Sequence, residues 1–365
     1  MIDHEILLYN KFKPVGHINA ALKIVVTTRH NKLSTATVEV DADHFYLAEM
    51  QAPGARIVYK EAGAVVMDGR ITTWVASGIG SRDTIVFTAH SAFEILKNMR
   101  GWPVPANPLT GQNVENYVAT GPAETVLKDI VKANATRLGI PLFIPISQGR
   151  GATISVSLRF QPLDEKLFPL FDQAGIGVDV RQDGTRHVLD CYTPAVYPHE
   201  LSEIDGTITG GAYSSTAPTV TRVVVGGQGE GVLREFRQYI DTAREAEWGV
   251  VIEEFRDARD SNDPAVFDAR AREVLAEGAP VSGLSLELSG AESLKLGPTL
   301  KLGSIVVAEI RGKKYTESVR EIIRTIGPDG RDVKPVIGER ADDPNRTLAK
   351  KLRAQSKGNN DRMVR

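Results

Sequence analysis

The sequence predicts a β-rich α+β protein of three successive units. Runs of β-branched residues between polar or Gly-containing turns fill both ends of the chain, apolar positions at helical spacing fall mainly in its middle, and a Gly, Ser and Thr rich stretch at Gly206–Pro218 follows that middle part. The 365 residues, 42% apolar and 25% charged, suffice for two or three domains with cores of their own. We place the units at residues 1–110, 111–205 and 206–340, followed by a basic extended tail over 341–365.

In the first unit, Leu22–Thr28 and Thr35–Val40 flank a polar turn at His30, Asn31 and Lys32 and read as a hairpin. Strands are expected at Arg56–Lys60 and Ala64–Met67, a turn at Asp68-Gly69, and further strands at Arg70–Val75 and Thr84–Ala89. Phe93, Leu96 and Met99 then recur at helical spacing over Ser91–Arg100, with Ser91 as the expected N-cap.

In the second unit, Pro122 opens a helix whose apolar face runs through Val126, Leu127, Ile130, Val131, Asn134 and Leu138 to Gly139. Leu163 to Ala174 mark a second helix, in which Pro169 predicts a kink or a late start. Ile176, Val178 and Val180 alternate into Asp183-Gly184, and Val188–Tyr192 returns as the clearest hairpin of the chain.

The third unit opens with a buried-looking strand, Val220–Val225. A further strand is expected over Trp248–Phe255, a helix over 264–277 capped near Asp263, strands at Ser282–Leu288, Ser304–Arg311 and Glu317–Thr325, and a tight turn at Pro328-Asp329-Gly330. Gly63–Ile71 and Gly303–Val319 echo each other faintly as strand, turn and strand. Beyond Ala341 apolar residues are few, and Asn345–Arg365 carries seven basic side chains against Asp361.

The residues exclude several classes of function. A balance of 44 basic and 46 acidic side chains draws the chain neither to nucleic acid nor to an anionic membrane. Cys191 is the single cysteine, which excludes an internal disulfide framework and a Cys-built zinc site. Ile6–Tyr9 is too short for a signal-peptide core, and apolar runs are strand-sized, so we expect a soluble chain.

Candidate chemistry resolves into local structure. Val223–Gly231 sets glycines after a strand, which suits an anion-binding turn, yet Val232 stands at the third glycine place of G-x-G-x-x-G. Asp257, Asp260 and Asp263 are spaced like cation ligands without the glycine and distal glutamate of an EF-hand, and Asp260, Ser261 or Asp263 serves better as the cap of the helix beginning near Pro264. Asp41, Asp43 and His44 read as turn residues, His90-Ser91 lacks a nucleophile elbow, and Cys191 reads as core packing. The histidines never fall as His-x-x-x-His. We expect no catalytic, metal or cofactor-binding residues. The basic tail lacks aromatics to stack on bases and suits a solvated or partner-ordered extension.

Taken in order, GAVVMDGRITTW, IVFTAHSAFEILKNMRGWPVPANP, AETVLKDIVKANA and LFDQAGIGVDVRQDGTRHVLDCYTP resemble the tail-tip minor tail proteins of long-tailed phages of actinobacteria. VTRVVVGGQGEGVLREF, WGVVIEEFRDARDSNDPAVF, LGSIVVAEIRGKKYTESVREI and TIGPDGRDVKPVIG resemble that family's closing domain more closely still. The resemblance spans Ile6–Gly338 and departs at Pro169, inside a helix that the family usually keeps unbroken.

The resemblance implies a baseplate hub: two tail-tube-like β-barrel domains with an α/β domain between them, three copies forming a homotrimeric ring at the virion's tail tip. It implies as partners the distal tail protein, the tape measure protein and other tip proteins. DNA would pass the lumen without sequence-specific binding, in a particle built for host attachment and DNA ejection. The alternatives are a tail-associated cell-wall hydrolase, which would need a catalytic constellation and for which a chain ending at Arg365 leaves no appended domain, and a carbohydrate-binding module, which would need Trp74, Trp102 or Trp248 as a platform. The tail is expected to become ordered only against another, acidic, tail protein.

Overall fold

The computed structural model describes residues 4–77, 83–289 and 299–338. The expected tail over 341–365 lies outside them. Seven strands open the chain: β1 (His4–Asn10), β2 (Lys13–His17), β3 (Lys23–Arg29), β4 (Thr35–Asp41), β5 (Ala55–Glu61), β6 (Ala64–Ser77) and β7 (Thr84–Ser91), with helix α1 (Leu47–Gln51) after β4. Period-two burial of Ala36, Val38 and Val40 on β4 and of Ile85, Phe87 and Ala89 on β7 fixes which face meets the core. The β3–β4 hairpin turns where the sequence places it, with Asn31 in the left-handed region at φ 50°.

Asp68-Gly69 is not a turn. β6 runs straight through it, and the chain reverses earlier, at Ala62 and Gly63, whose φ values are 46° and 77°. Asp68 tolerates burial because Arg56 meets its carboxylate, and Gly69 is required because a Cβ there would lie 2.2 Å from the carbonyl oxygen of His90. Nor is Ser91 a helix cap. The helix α2 (Glu94–Asn98) starts at Phe93, while the Ser91 hydroxyl accepts a hydrogen bond from the backbone N–H of Ser34 at 3.1 Å.

The middle of the chain contains β8 (Tyr117–Pro122), α3 (Ala123–Leu138), β9 (Leu142–Phe143), β10 (Thr153–Leu158), α4 (Leu163–Gln173), β11 (Gly177–Asp183) and β12 (Arg186–Tyr192). Gly139, left-handed at φ 65°, ends α3 by donating its N–H to the carbonyls of Ala135 and Thr136. α4 begins at Leu163 and carries Pro169 inside it, so it has no late start. These helices pack with β8, β10, β11 and β12 around Leu127, Ile130, Leu158 and Phe171, and α2 joins them through Phe93, which meets Phe168 at 4.7 Å between ring centroids.

The last part holds β13 (Leu201–Ser202), β14 (Ile208–Thr216), β15 (Arg222–Gly226), β16 (Phe236–Ile240), α5 (Thr242–Trp248), β17 (Glu253–Asp257), α6 (Pro264–Glu277), β18 (Val281–Leu288), β19 (Ile305–Ile310), β20 (Lys313–Gly327) and β21 (Gly330–Gly338). Gly206–Pro218 contains the exposed edge strand β14, and Trp248 ends α5 rather than opening a strand. α6 begins as the sequence predicts: the Asp263 side chain caps it by accepting from the N–H of Ala265 at 2.9 Å.

Strands from both ends of the chain build one sheet of 13 strands, ordered β14-β18-β21-β20-β3-β4-β7-β6-β5-β1-β2, with β19 pairing β13 and β20. β20 lies antiparallel to β3 from Glu321↔Arg29 to Ile326↔Ile24. The path is open at β14 and β2, and the described strands close no barrel. The internal echo holds only in its second half: Gly303–Val319 is strand, turn and strand, whereas β6 runs unbroken through the turn expected within Gly63–Ile71. Ala62-Gly63 and Arg311-Gly312, all left-handed, each lead into a long strand, β6 of 14 residues and β20 of 15.

β16-β15-β17 form a separate sheet against α6, with Val223, Val225, Phe267 and Ala271 as its core.

Candidate functional site

Each candidate for chemistry lands in a structural role. His44 donates from Nε2 to the carbonyl of Asn19 at 2.9 Å, accepts from the N–H of Tyr46 through Nδ1, and its own N–H bonds the carbonyl of Asp41, which makes 41–44 a turn. His90 lies 3.4 Å from Glu94, while Ser91 bonds Ser34. Cys191 is buried, and burial pushes its thiol up to about 12. In the glycine loop, Arg234 donates to the carbonyls of Gly226 and Gly227, both at 2.9 Å, and the N–H of Gln228 is taken by Asn262. Asp257 pairs with Arg234, Asp260 with Arg270, and Asp263 caps α6. Among the described residues no three His, Cys, Asp or Glu side chains gather to hold a metal ion. The face of Trp102 carries the Arg137 guanidinium at 4.1 Å, and Trp74 is half-exposed on β6.

The informative geometry lies where distant segments of the chain meet. At the tip of the β3–β4 hairpin the buried Asn31 amide accepts from the N–H of Val178 at 2.9 Å and donates to the carbonyl of Ile176 at 2.9 Å. Its side chain thereby occupies the place of a neighbouring strand beside β11. The same amide donates to Asp172 at 2.7 Å, whose other oxygen holds Arg320 of β20 at 2.8 Å. His30 meets the Tyr192 hydroxyl at 2.9 Å, and burial holds its imidazole down to about 4, Asp172 opposing the shift. First, middle and last parts of the chain converge on this cluster.

A second joint lies between β5, β6 and β12. Arg56 donates to neutral His187 at 2.8 Å and approaches buried Asp68 at 3.3 Å. Burial lifts Asp68 to about 6 against the pull of Arg56, whereas burial and then Arg56 hold His187 down to about 4. On α3, fully buried Glu124 accepts from the N–H groups of Gln148 and Arg150 and pairs with Lys128 at 2.8 Å, and Lys128 also reaches Asp190 at 2.8 Å.

The sequence reading missed these positions. Asn31 passed for an ordinary turn residue and Asp68 for a turn former, and nothing local marks either. Glu124 and Lys128 did carry a signal, since i,i+4 spacing puts opposite charges on one helix face.

On the outer face of the small sheet the Arg234 guanidinium lies 5.4 Å from the centroids of both Phe236 and Phe255. Phe236, Ile240 and Phe255 are exposed there, with Phe236 and Phe255 6.5 Å apart between centroids, and Val232 and Leu233 are exposed in the preceding turn.

The model of the family described as Siphovirus ReqiPepy6 Gp37-like protein matches residues 6–339. No curated protein matches the chain. Among solved structures, the 43 kDa tail protein of prophage MuSo2 from Shewanella oneidensis is similar at a TM-score of 0.56 and 15% identity, covering 93% of this chain and 98% of its own. A tail protein from Neisseria meningitidis MC58 gives 0.55 at 11% identity over 92% and 96%. Prophage tail protein gp18 from Listeria monocytogenes EGD-e gives 0.54 at 10% identity over 96% and 99%. At these identities the likeness is one of fold.

Proposed function

The chain belongs to the Siphovirus ReqiPepy6 Gp37-like family, and on that premise we propose that it is a structural protein of a phage tail, acting at the tail tip as a baseplate hub. The observation that carries the reading is the fold, shared from end to end with tail proteins whose lengths it covers almost completely. In the reading, three copies form a ring that continues the tail tube, and the two β regions of each chain present six positions to a sixfold tube. The open edges of the 13-stranded sheet suit this, because closure into tube-like barrels then belongs to the ring rather than to the chain. The distal tail protein, the tape measure protein and other tip proteins are its neighbours, and it supports attachment and DNA ejection without an enzymatic step.

The lumen wall is acidic or neutral, since a basic lining would bind phosphates and slow DNA. Electron microscopy of the intact particle tests both statements. Three copies at the tip around a channel not dominated by Lys and Arg is the expected result; six copies, one copy on the axis, or a basic lining refutes the corresponding statement. A monomer in dilute solution is compatible with either, because ring contacts form by mass action with neighbouring rings.

A further inference from the structure

We propose that residues 219–278 form a hinged insert, which swings as one body about the end of the β14–β18 ladder and is held against β10 and α4 by ion pairs that salt releases.

The path of the chain sets up the hinge. β14 and β18 are antiparallel neighbours whose register ends at Thr216↔Val281, so residues 217–280 leave the large sheet and return to it at points about 5 Å apart. Each connection is an Ala-Pro pair, Ala217-Pro218 on the way out and Ala279-Pro280 on the way back. Proline has no N–H to give to a ladder, so the β14–β18 pairing cannot be extended through them. The two segments meet again only where the carbonyl of Gly278 accepts from the N–H groups of Thr219 at 3.0 Å and Val220 at 3.4 Å.

The insert holds itself together. Val223, Val225, Phe267 and Ala271 give it a core apart from those of the rest of the chain. Tyr239 donates to Asp268 at 2.7 Å and Arg270 pairs with Asp260, which ties α6 to β16 and to the loop that precedes the helix.

The seam against the rest of the chain differs in kind. α6 packs there on β10 and α4. Glu273 pairs with Lys166 of α4, and the buried Val266 and Ala269 share its helix face at i, i+3 and i+7 spacing. Asp260 meets Asn116 at 3.4 Å and Arg159 at 3.5 Å, and Arg272 donates to the Ser155 hydroxyl at 3.3 Å. β10 turns Ile154, Val156 and Leu158 into its own core, which leaves Ser155 and Ser157 on the other side. The Ser157 hydroxyl is buried and finds no partner among the described residues, unlike the polar groups of a settled core. A junction of small side chains, serines and ion pairs resembles a transient interface, across which relative motion is the rule. Undocking uncovers little apolar surface and breaks charged contacts that weaken with ionic strength. The insert carries the exposed Val232 and Leu233 with it, so each swing re-aims that turn.

Spin labels at Val232→Cys on the insert and Lys132→Cys on α3, both exposed positions of the full chain, read the swing as a change of distance, and the buried Cys191 stays unlabelled. One narrow distribution is expected at low salt. Raising the salt tenfold should enlarge a second, displaced population about fivefold. Lys166→Met with Arg159→Gln, which lie outside the insert and leave its internal pairs intact, should enlarge that population without added salt. A label pair within the insert, at Val232→Cys and Glu247→Cys, should keep its distance throughout. A distribution between positions 132 and 232 that neither salt nor the double variant moves, or one between 232 and 247 that broadens in step with it, would overturn the proposal.

Discussion

Asn31 and Asp172, 141 residues apart in the chain, are joined by a hydrogen bond of 2.7 Å from the Asn31 amide to a carboxylate oxygen. Since the same amide serves Val178 and Ile176, one short side chain satisfies three groups between Asp172 and Val178 from the tip of the β3–β4 hairpin. Asn31→Ala should lower stability by about 2 to 4 kcal/mol, because buried polar groups left unpaired keep their desolvation cost. Asn31→Asp should fare no better, as it cannot donate to the carbonyl and meets Asp172 with like charge. The midpoint of urea unfolding reads both, and an unchanged midpoint for Asn31→Ala contradicts the account.

Glu124→Ala removes the acceptor of two loop amides and one of the two carboxylates around Lys128, a lysine almost wholly buried. A loss of about 3 to 5 kcal/mol is expected, as for breaking other buried ion pairs. Hydrogen exchange at the Gln148 and Arg150 amides should accelerate more than exchange at β11. Uniform acceleration would argue that the loop is held otherwise.

Gly69→Ala places a methyl group 2.2 Å from the His90 carbonyl oxygen, backbone that cannot step aside without breaking the β6–β7 ladder. Gly63→Ala, with nothing within 4 Å, meets only the left-handed φ of 77°. The first should prevent soluble expression or cost several times more than the second, about 1 kcal/mol. Comparable thermal midpoints for the two would contradict this.

Acidification should destabilise the joints. His30 and His187, held down to about 4 from 6.5, contribute stability that is complete above 6.5 and is lost as pH falls through 4. Each corresponds to something on the order of 3 kcal/mol. Asp68, lifted to about 6, has the opposite sign: its stability is complete below 3.8 and lost as pH rises through 6. Two histidines outweigh one carboxyl, so the thermal midpoint should drop between pH 6.5 and 4.5. His187→Gln, which can still accept from Arg56, should flatten that dependence; an equally steep dependence in the variant would remove His187 from the explanation.

How far the sequence could be read depended on how local the determinants were. α3 carries its own start, stop and apolar face between Pro122 and Gly139, and the β11–β12 hairpin carries its own turn at Gly184, so both were legible. β14 was not, because Ile208–Thr216 lacks apolar alternation and owes its strand form to β18, which lies after the whole small unit. Asp68-Gly69 misled for a related reason: what keeps it extended is Arg56 on β5 and His90 on β7. The candidate joints combine residues whose types are commonplace and whose meaning arises only from three distant segments meeting.

The pairing of β3 with β20 also sets a schedule for synthesis. Thr28 donates to the carbonyl of Ile322, 294 residues later, so on the ribosome β3 has β4 on one edge and nothing on the other until nearly the whole fold has emerged. At about 5 to 20 residues per second that wait lasts roughly 15 to 60 s. Throughout it, Ile24–Thr28 is a bare β-branched edge of the kind that recruits other nascent chains. A cell translating many copies at once must therefore keep neighbouring half-made sheets apart for tens of seconds before the final strands can cover that edge.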